Sequence, residues 1–216
     1  MKKKMLLAVL ALGLGVLNIN AQGISGGIKA DANASNFIFC DMPSYFKSNF
    51  GAGASLGGFV KFEIGSNFAL QPELLFHYKT SELEDVSWRE DKLPTESFQY
   101  FGVEIPLYIM GQVKLGNGKL FLGAGPYAGF GIDARSKVKD QDDLNLYEKI
   151  AGEDGSKEAA LQRFDIGAGA ILGYEFCNRI SIAATYKRGF QNLLTNPVGD
   201  QSYTNQTLSV GLGIRF

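Results

Sequence analysis

Hydrophobic residues recur at every second position through most of this chain. In FDIGAGAILGYEF, residues 164–176, Phe164, Ile166, Ala168, Ala170, Leu172, Tyr174 and Phe176 alternate with Asp165, Gly167, Gly169, Ile171, Gly173 and Glu175. A period of two describes a strand with one apolar face and one face of charged and small residues. The pattern predicts eight strands, at 23–33, 52–64, 68–79, 98–115, 119–134, 164–176, 180–190 and 204–216. Each can cross a bilayer when tilted, which takes about 9–11 residues. Beyond residue 21 no apolar run is long enough for a membrane-spanning helix, so any span must be built of strands.

The connections alternate in length. GSN (65–67), GNG (116–118) and CNR (177–179) read as tight hairpins, with Gly and Asn expected to supply positive φ. The connections at 34–51, 80–97, 135–162 and 191–203 are long and polar, and both termini fall at the short-turn end. This asymmetry predicts an all-β, eight-stranded antiparallel up-and-down transmembrane β-barrel of the outer-membrane type. Sorting each strand by parity gives one face with Leu56, Phe62, Leu74, Phe76, Phe101, Ile105, Leu107, Ile109, Leu122, Phe130, Ile182, Leu208 and Val210. The other face carries Gly57, Lys61, Glu73, His77, Lys79, Gly102, Glu104, Tyr108, Gly123, Gly125, Gly129, Lys187 and Arg215. An eight-stranded barrel has a narrow interior, so the glycine-rich face points inward and the bulky face meets lipid. A soluble barrel with an apolar interior would crowd the large aliphatics into that space. Pro72, Pro106 and Pro126 lie within strands, where each removes a ladder hydrogen bond and suggests a bulge that would flip the facing downstream.

The N-terminus modifies the picture. MKKK, the apolar run MLLAVLALGLGVL and NINA form a signal peptide over 1–21, leaving the barrel domain as 22–216. Export permits disulfides. Yet Cys40 lies in the first long connection and Cys177 in a tight turn at the opposite end, so no bond between them is expected. The chain carries a net charge of −1. With no basic tract after the leader, nucleic acid is not expected as a partner.

Candidate chemistry is sparse. The inward set holds Lys29, Lys61, Lys79, Lys114, Arg135, Arg163, Lys187 and Arg215 against Asp31, Glu63, Glu73, Glu104, Asp133, Asp165 and Glu175. Charges in a narrow lumen are costly unless paired. Their near balance predicts an ion-paired plug, since a selective pore favours one sign. His77, the one histidine, could join Ser81 and Glu73 in a hydrolytic triad; an interior histidine bonded to a nearby acid is the plainer reading. DQDD, Asp140 to Asp143, lacks the glycine and final glutamate of a calcium loop. GAGPYAGFG runs through a strand with no helix after it, so it is no phosphate loop. No catalytic, cofactor or metal site is expected, and no enzymatic activity. In the long connections, LNLYEKI and SKEAALQRF could form short helices, and Trp88 is a candidate contact residue.

The signal ending in NINAQ, the strand GAGPYAGFG, the eight-strand meander and the terminal GLGIRF resemble the outer-membrane β-barrel proteins of Bacteroidota, the PorT-like group. The resemblance implies a Gram-negative outer membrane and a barrel, and carries no catalytic residues. The expected partners are outer-membrane lipids and lipopolysaccharide, the barrel-assembly machinery during biogenesis, and a protein or ligand at the extracellular loops. The expected role is structural or binding. A secretion-machine component, a lipid-modifying enzyme and a small pore are the alternatives.

Overall fold

A computed structural model describes residues 23–40, 46–85, 96–138, 143–148, 150–151, 157–159, 161–195 and 201–216. The segment 1–21 expected to be a signal peptide, Trp88 and Asp140 to Asp142 lie outside the described residues. Eight long strands form one sheet: β1 (Ile24–Cys40), β2 (Phe46–Ile64), β3 (Phe68–Asp85), β4 (Glu96–Leu115), β5 (Gly118–Val138), β6 (Phe164–Glu175), β7 (Ile180–Gly189) and β8 (Ser202–Arg215). Each pairs antiparallel with the next, and β8 returns to β1 from Gly27↔Arg215 to Cys40↔Ser202. The sheet is therefore a closed barrel, and closure leaves no free edge along the shared ladder.

All eight predicted strands are present. At the long-loop end β1, β2 and β3 run well past the predicted limits, to Cys40, from Phe46 and to Asp85. Alternation requires one face in lipid. Beyond the lipid zone neither face must be apolar, so the pattern fades while the ladder hydrogen bonds continue. The hairpin turns lie where predicted, with positive φ at Gly65 and Gly116. The third turn differs. Positive φ falls on Arg179, and Asn178 contributes its Oδ1, which accepts the Ile180 N–H at 3.3 Å.

The prolines do not shift the register. Pro72 pairs with Leu107, Pro106 with Tyr127 and Pro126 with Ala168, and on both sides of each the facing is unchanged. The shifts occur elsewhere. One lies between Phe50 and Ala54, at Gly51–Ala52–Gly53, and the other opposite Phe101 and Gly102, at Ile132. Glycine tolerates the bulge backbone, whereas a proline needs only that its missing N–H go unbonded. Past Ile132 the facing inverts, so Ala134 and Ser136 are buried and Arg135 and Lys137 are exposed. Arg135 is therefore not a lumen residue. The expected short helices are absent among the described residues of both segments. Leu144–Asn145 extends the ladder of β5, and Ile150–Ala151 pairs with Lys157–Glu158. Asn145 Oδ1 accepts the Tyr147 N–H at 3.0 Å, a side-chain turn that competes with a helix.

The outer surface of the barrel is a belt of exposed aliphatics, among them Ile109 at 66% and Leu56 at 62%. Tyr78, Phe101, Phe130, Phe164 and Tyr186 rim it toward the long loops. Phe62, Phe68, Phe176 and Phe216 rim it toward the short turns. An apolar band between two aromatic girdles is the surface of a barrel in a bilayer. Inside, several large rings face glycines directly across the ladder: Phe59 opposite Gly27, Phe121 opposite Gly173 and Tyr127 opposite Gly167. A Cβ added at any of the three glycines would run into the facing ring. The glycine content of this chain thus makes room for the side chains that fill its lumen.

Candidate functional site

Side chains occupy most of the lumen along its length. Toward the short turns, Glu175 lies between Lys61 at 3.5 Å and Arg215 at 2.6 Å, and Glu63 meets Lys119 at 3.3 Å. Lys29 contacts Glu73 at 3.1 Å and Asp31 at 3.6 Å, while Gln71 Nε2 donates to the second oxygen of Glu73 at 2.8 Å. Packed among these is an apolar cluster of Ala69, Tyr108, Met110, Phe121 and Ile171. Further toward the loops Glu104, 1% exposed, accepts from Lys79 at 3.1 Å and from Lys187. Asp165 accepts from the Tyr127 hydroxyl at 3.1 Å and from Asn205 at 3.5 Å.

The predicted inward charges mostly meet here. Lys29, Lys61, Lys79, Lys187, Asp31, Glu73, Glu104, Asp165 and Glu175 are buried, and Arg215 and Glu63 half-buried. Lys114 and Arg163 are exposed, like Arg135, and Asp133 pairs with Arg135 at 2.9 Å. His77 stacks on Tyr100 at 5.2 Å, and its Nδ1 lies 3.9 Å from Glu104. Among the described residues neither ring nitrogen of His77 has a hydrogen-bond partner, and Ser81 Oγ has none. Glu73 is held by Lys29 and Gln71. The three residues of the conceivable triad share the lumen face without forming a hydrogen-bonded chain. Among the described residues no cluster of His, Cys, Asp or Glu is disposed to hold a metal ion.

Sequence reasoning named the charges but passed over Phe59, Leu75, Met110, Phe121 and Tyr127, all buried in the lumen. The signal was available, because each shares the parity of the glycines and charges beside it.

At the long-loop end a second cluster closes the mouth. Leu146, Tyr147, Leu161 and Leu193, from the long connections, pack with Ala134 against Phe37, Phe98, Tyr100, Leu194 and Tyr203. Arg163 lies 4.4 Å over the Tyr147 ring. Asn192 Oδ1 accepts the N–H of both Leu194 and Tyr203, at 3.1 and 3.0 Å, which ties the last long connection to β8. Burial pushes the Tyr147 phenol up to about 12, so the ring that covers Gly131 stays neutral. Below this cap is a small cavity of about 20 Å³, room for roughly one water, lined by residues of β1, β3 and β4 with Asp165, Leu193 and Asn205.

Solved barrels of similar fold include the attachment invasion locus protein Ail of Yersinia pestis, with a TM-score of 0.47 at 15% identity over 89% of this chain and 98% of that one. Neisserial surface protein A gives 0.45 at 14% identity, covering 90% and 99%. OprG of Pseudomonas aeruginosa gives 0.49 at 11% identity, covering 89% and 96%. No curated protein matches. Residues 19–195 match the family described as outer membrane protein beta-barrel domain. A closed barrel of eight strands, with a lipid-facing belt outside and ion pairs within, agrees with that match: the chain belongs to the outer membrane protein beta-barrel domain family, and its place is the outer membrane.

Proposed function

We propose that this protein is a stoppered, non-catalytic barrel that acts by binding at its extracellular end. The observation that carries the reading is the contrast between its two parts. The lumen is blocked by paired charges and by the cluster around Tyr108 and Met110. By contrast, β1 to β5 continue beyond the outer aromatic girdle and are bridged by a packed apolar cap. A rigid rim carrying long connections is the usual platform for recognition. The partner is a protein or other ligand at the loops, with lipid and lipopolysaccharide around the belt. The resemblance of GAGPYAGFG and the terminal strand to the PorT-like group favours a second reading, a component of a secretion machine.

Two measurements test this. Reconstituted in planar bilayers, the barrel should give no stable conductance steps; a reproducible open channel contradicts the stopper. Crosslinking on intact cells followed by affinity capture should recover the same partner repeatedly and lose it when the long connections are replaced by short turns. Capture that survives this replacement places the contact elsewhere, and capture of secretion components selects the second reading.

A further inference from the structure

Toward the long loops the exposed, outward positions of β7 read Ala184, Tyr186 and Arg188, with Phe190 just beyond the strand. Tyr186 belongs to the outer girdle, and Phe190 is 68% exposed. Arg188 therefore stands at the outer edge of the lipid belt, with a lipid-facing ring on either side along the chain. Its guanidinium has no ion pair or hydrogen bond among the described residues. Directly across the ladder it faces Ala168 on β6 and Gln206 on β8. Gln206 Oε1 accepts from the Tyr186 hydroxyl at 3.3 Å, which leaves the Gln206 amide N–H₂ as a second unengaged donor beside Arg188. An arginine carries five N–H donors, no acceptor and a permanent charge. At the edge of hydrocarbon such a charge is costly unless matched, and long basic side chains reach for the headgroups. Below Arg188 the belt is paved with small side chains. Pro126 pairs with Ala168 and Ala124 with Ala170, and Ala184 follows on β7.

We infer that Arg188 and Gln206 form a phosphate-binding site for lipopolysaccharide, whose acyl chains lie on the small residues Ala168, Pro126, Ala170 and Ala124. The planar guanidinium matches two phosphate oxygens at once, and the Gln206 amide donates beside it. The lipid supplies the negative charge that the protein withholds. The end of the barrel fixes the leaflet, since long connections lie outside and short turns inside. A smooth face spanning β5, β6 and β7 takes several acyl chains side by side, as a multiply acylated lipid requires. A two-chained phospholipid would cover less of it. This inference rests on the lipopolysaccharide contact of the proposed function and narrows it to one site. Partner capture at the loops does not depend on it, so either can fail alone.

The purified barrel in detergent is titrated with lipid A, the phosphorylated acyl anchor of lipopolysaccharide, and retained lipid is counted by native mass spectrometry. Dephosphorylated lipid A and phosphatidylglycerol are titrated in parallel, and inorganic phosphate is added as a competitor. Saturable retention of lipid A is expected, with the dephosphorylated form about 10-fold or more weaker. Phosphatidylglycerol should also be weaker, and inorganic phosphate at equal concentration should displace nothing. Arg188→Gln should weaken lipid A binding about 10-fold or more, and Arg188→Lys, which keeps the charge without the fork, should recover part of it. Gln206→Leu removes the second donor and should weaken binding about 3-fold or more. Lys114→Gln removes one exposed positive charge at the short-turn end and should leave binding unchanged. Heat-modifiable migration shows that each variant is folded. The inference is overturned by equal retention of dephosphorylated lipid A, by preference for phosphatidylglycerol or by displacement with inorganic phosphate. Wild-type affinity in folded Arg188→Gln or Gln206→Leu overturns it too.

Discussion

Glu104→Gln is the most informative single perturbation of the lumen. Glu104 is 1% exposed and serves two ammonium groups, Lys79 at 3.1 Å and Lys187, themselves 4% and 5% exposed. With Asp165 the level holds two charges of each sign. The glutamine keeps the shape and removes one negative charge, leaving two buried cations against a single carboxylate. Breaking a buried pair from one side costs about 3–5 kcal/mol, because the survivor is left uncompensated. With two survivors, Glu104→Gln belongs at the upper end, about 4–5 kcal/mol. Lys187→Met removes a cation instead and leaves Glu104 and Asp165 against Lys79 alone, so about 3–4 kcal/mol is expected, at the lower end because Glu104 keeps one partner. The double variant restores equal numbers of charges and should recover at least about 2 kcal/mol of the Glu104→Gln loss. Urea unfolding in lipid vesicles, followed by far-ultraviolet dichroism and by heat-modifiable migration, gives all three values in one cycle. A Glu104→Gln barrel within about 1 kcal/mol of the parent, or a double variant no better than Glu104→Gln, would refute the argument that these charges are buried and mutually neutralised.

Three further outcomes are expected. Leu107→Arg places a charge on the lipid-facing belt and should cost about 2–4 kcal/mol in vesicle unfolding. Gly57→Arg should instead fail to assemble, because a Cβ at Gly57 meets the Leu74 carbonyl of the neighbouring strand; equal behaviour of the two would contradict the assigned faces. Deleting Phe216, whose N–H donates to Gly26 O at 2.8 Å on the short-turn rim, should reduce the folded fraction in cells more than the refolding yield in detergent; equal, near-native values in both argue against recognition of the last residue by the assembly machinery. Cys177 is a free, exposed thiol at the short-turn end, whereas Cys40 pairs with Ser202 at the other. In a Cys40→Ser background an impermeant maleimide should label it only after the outer membrane is opened, and labelling on intact cells would invert the topology.

The legible part of this fold was the part in contact with lipid. Leu56, Phe101, Ile109 and Leu212 had to be apolar and every second residue could not be, so number, order and facing of the strands follow from spacing. The bulges were not legible. Proline advertises a lost N–H, yet the register shifts at Gly51–Ala52–Gly53 and Ile132, where backbone conformation and not side-chain chemistry decides. The inward parity of Met110 and Phe121 could be read, but not why such bulk fits there: Phe121 looks out of place among glycines until the register sets it opposite Gly173. Asp165 was visible as an inward charge. That it lacks an ion pair among the described residues depends on distances across the lumen, which no local pattern encodes.

Several of the ion pairs join strands remote in the chain. Lys61 of β2 and Arg215 of β8 both reach Glu175 of β6, and Lys187 of β7 reaches Glu104 of β4. A hairpin entering the bilayer alone would carry such charges unmatched, at several kcal/mol each. Lys79 can meet Glu104 within the β3–β4 pair, but full neutralisation is available only once the circle of strands is complete. Membrane entry and closure are thereby fused into one step, and a half-assembled sheet gains little by lingering in the lipid. A chain stalled before β8 arrives, lacking Arg215, would remain a substrate for proteases in the periplasm.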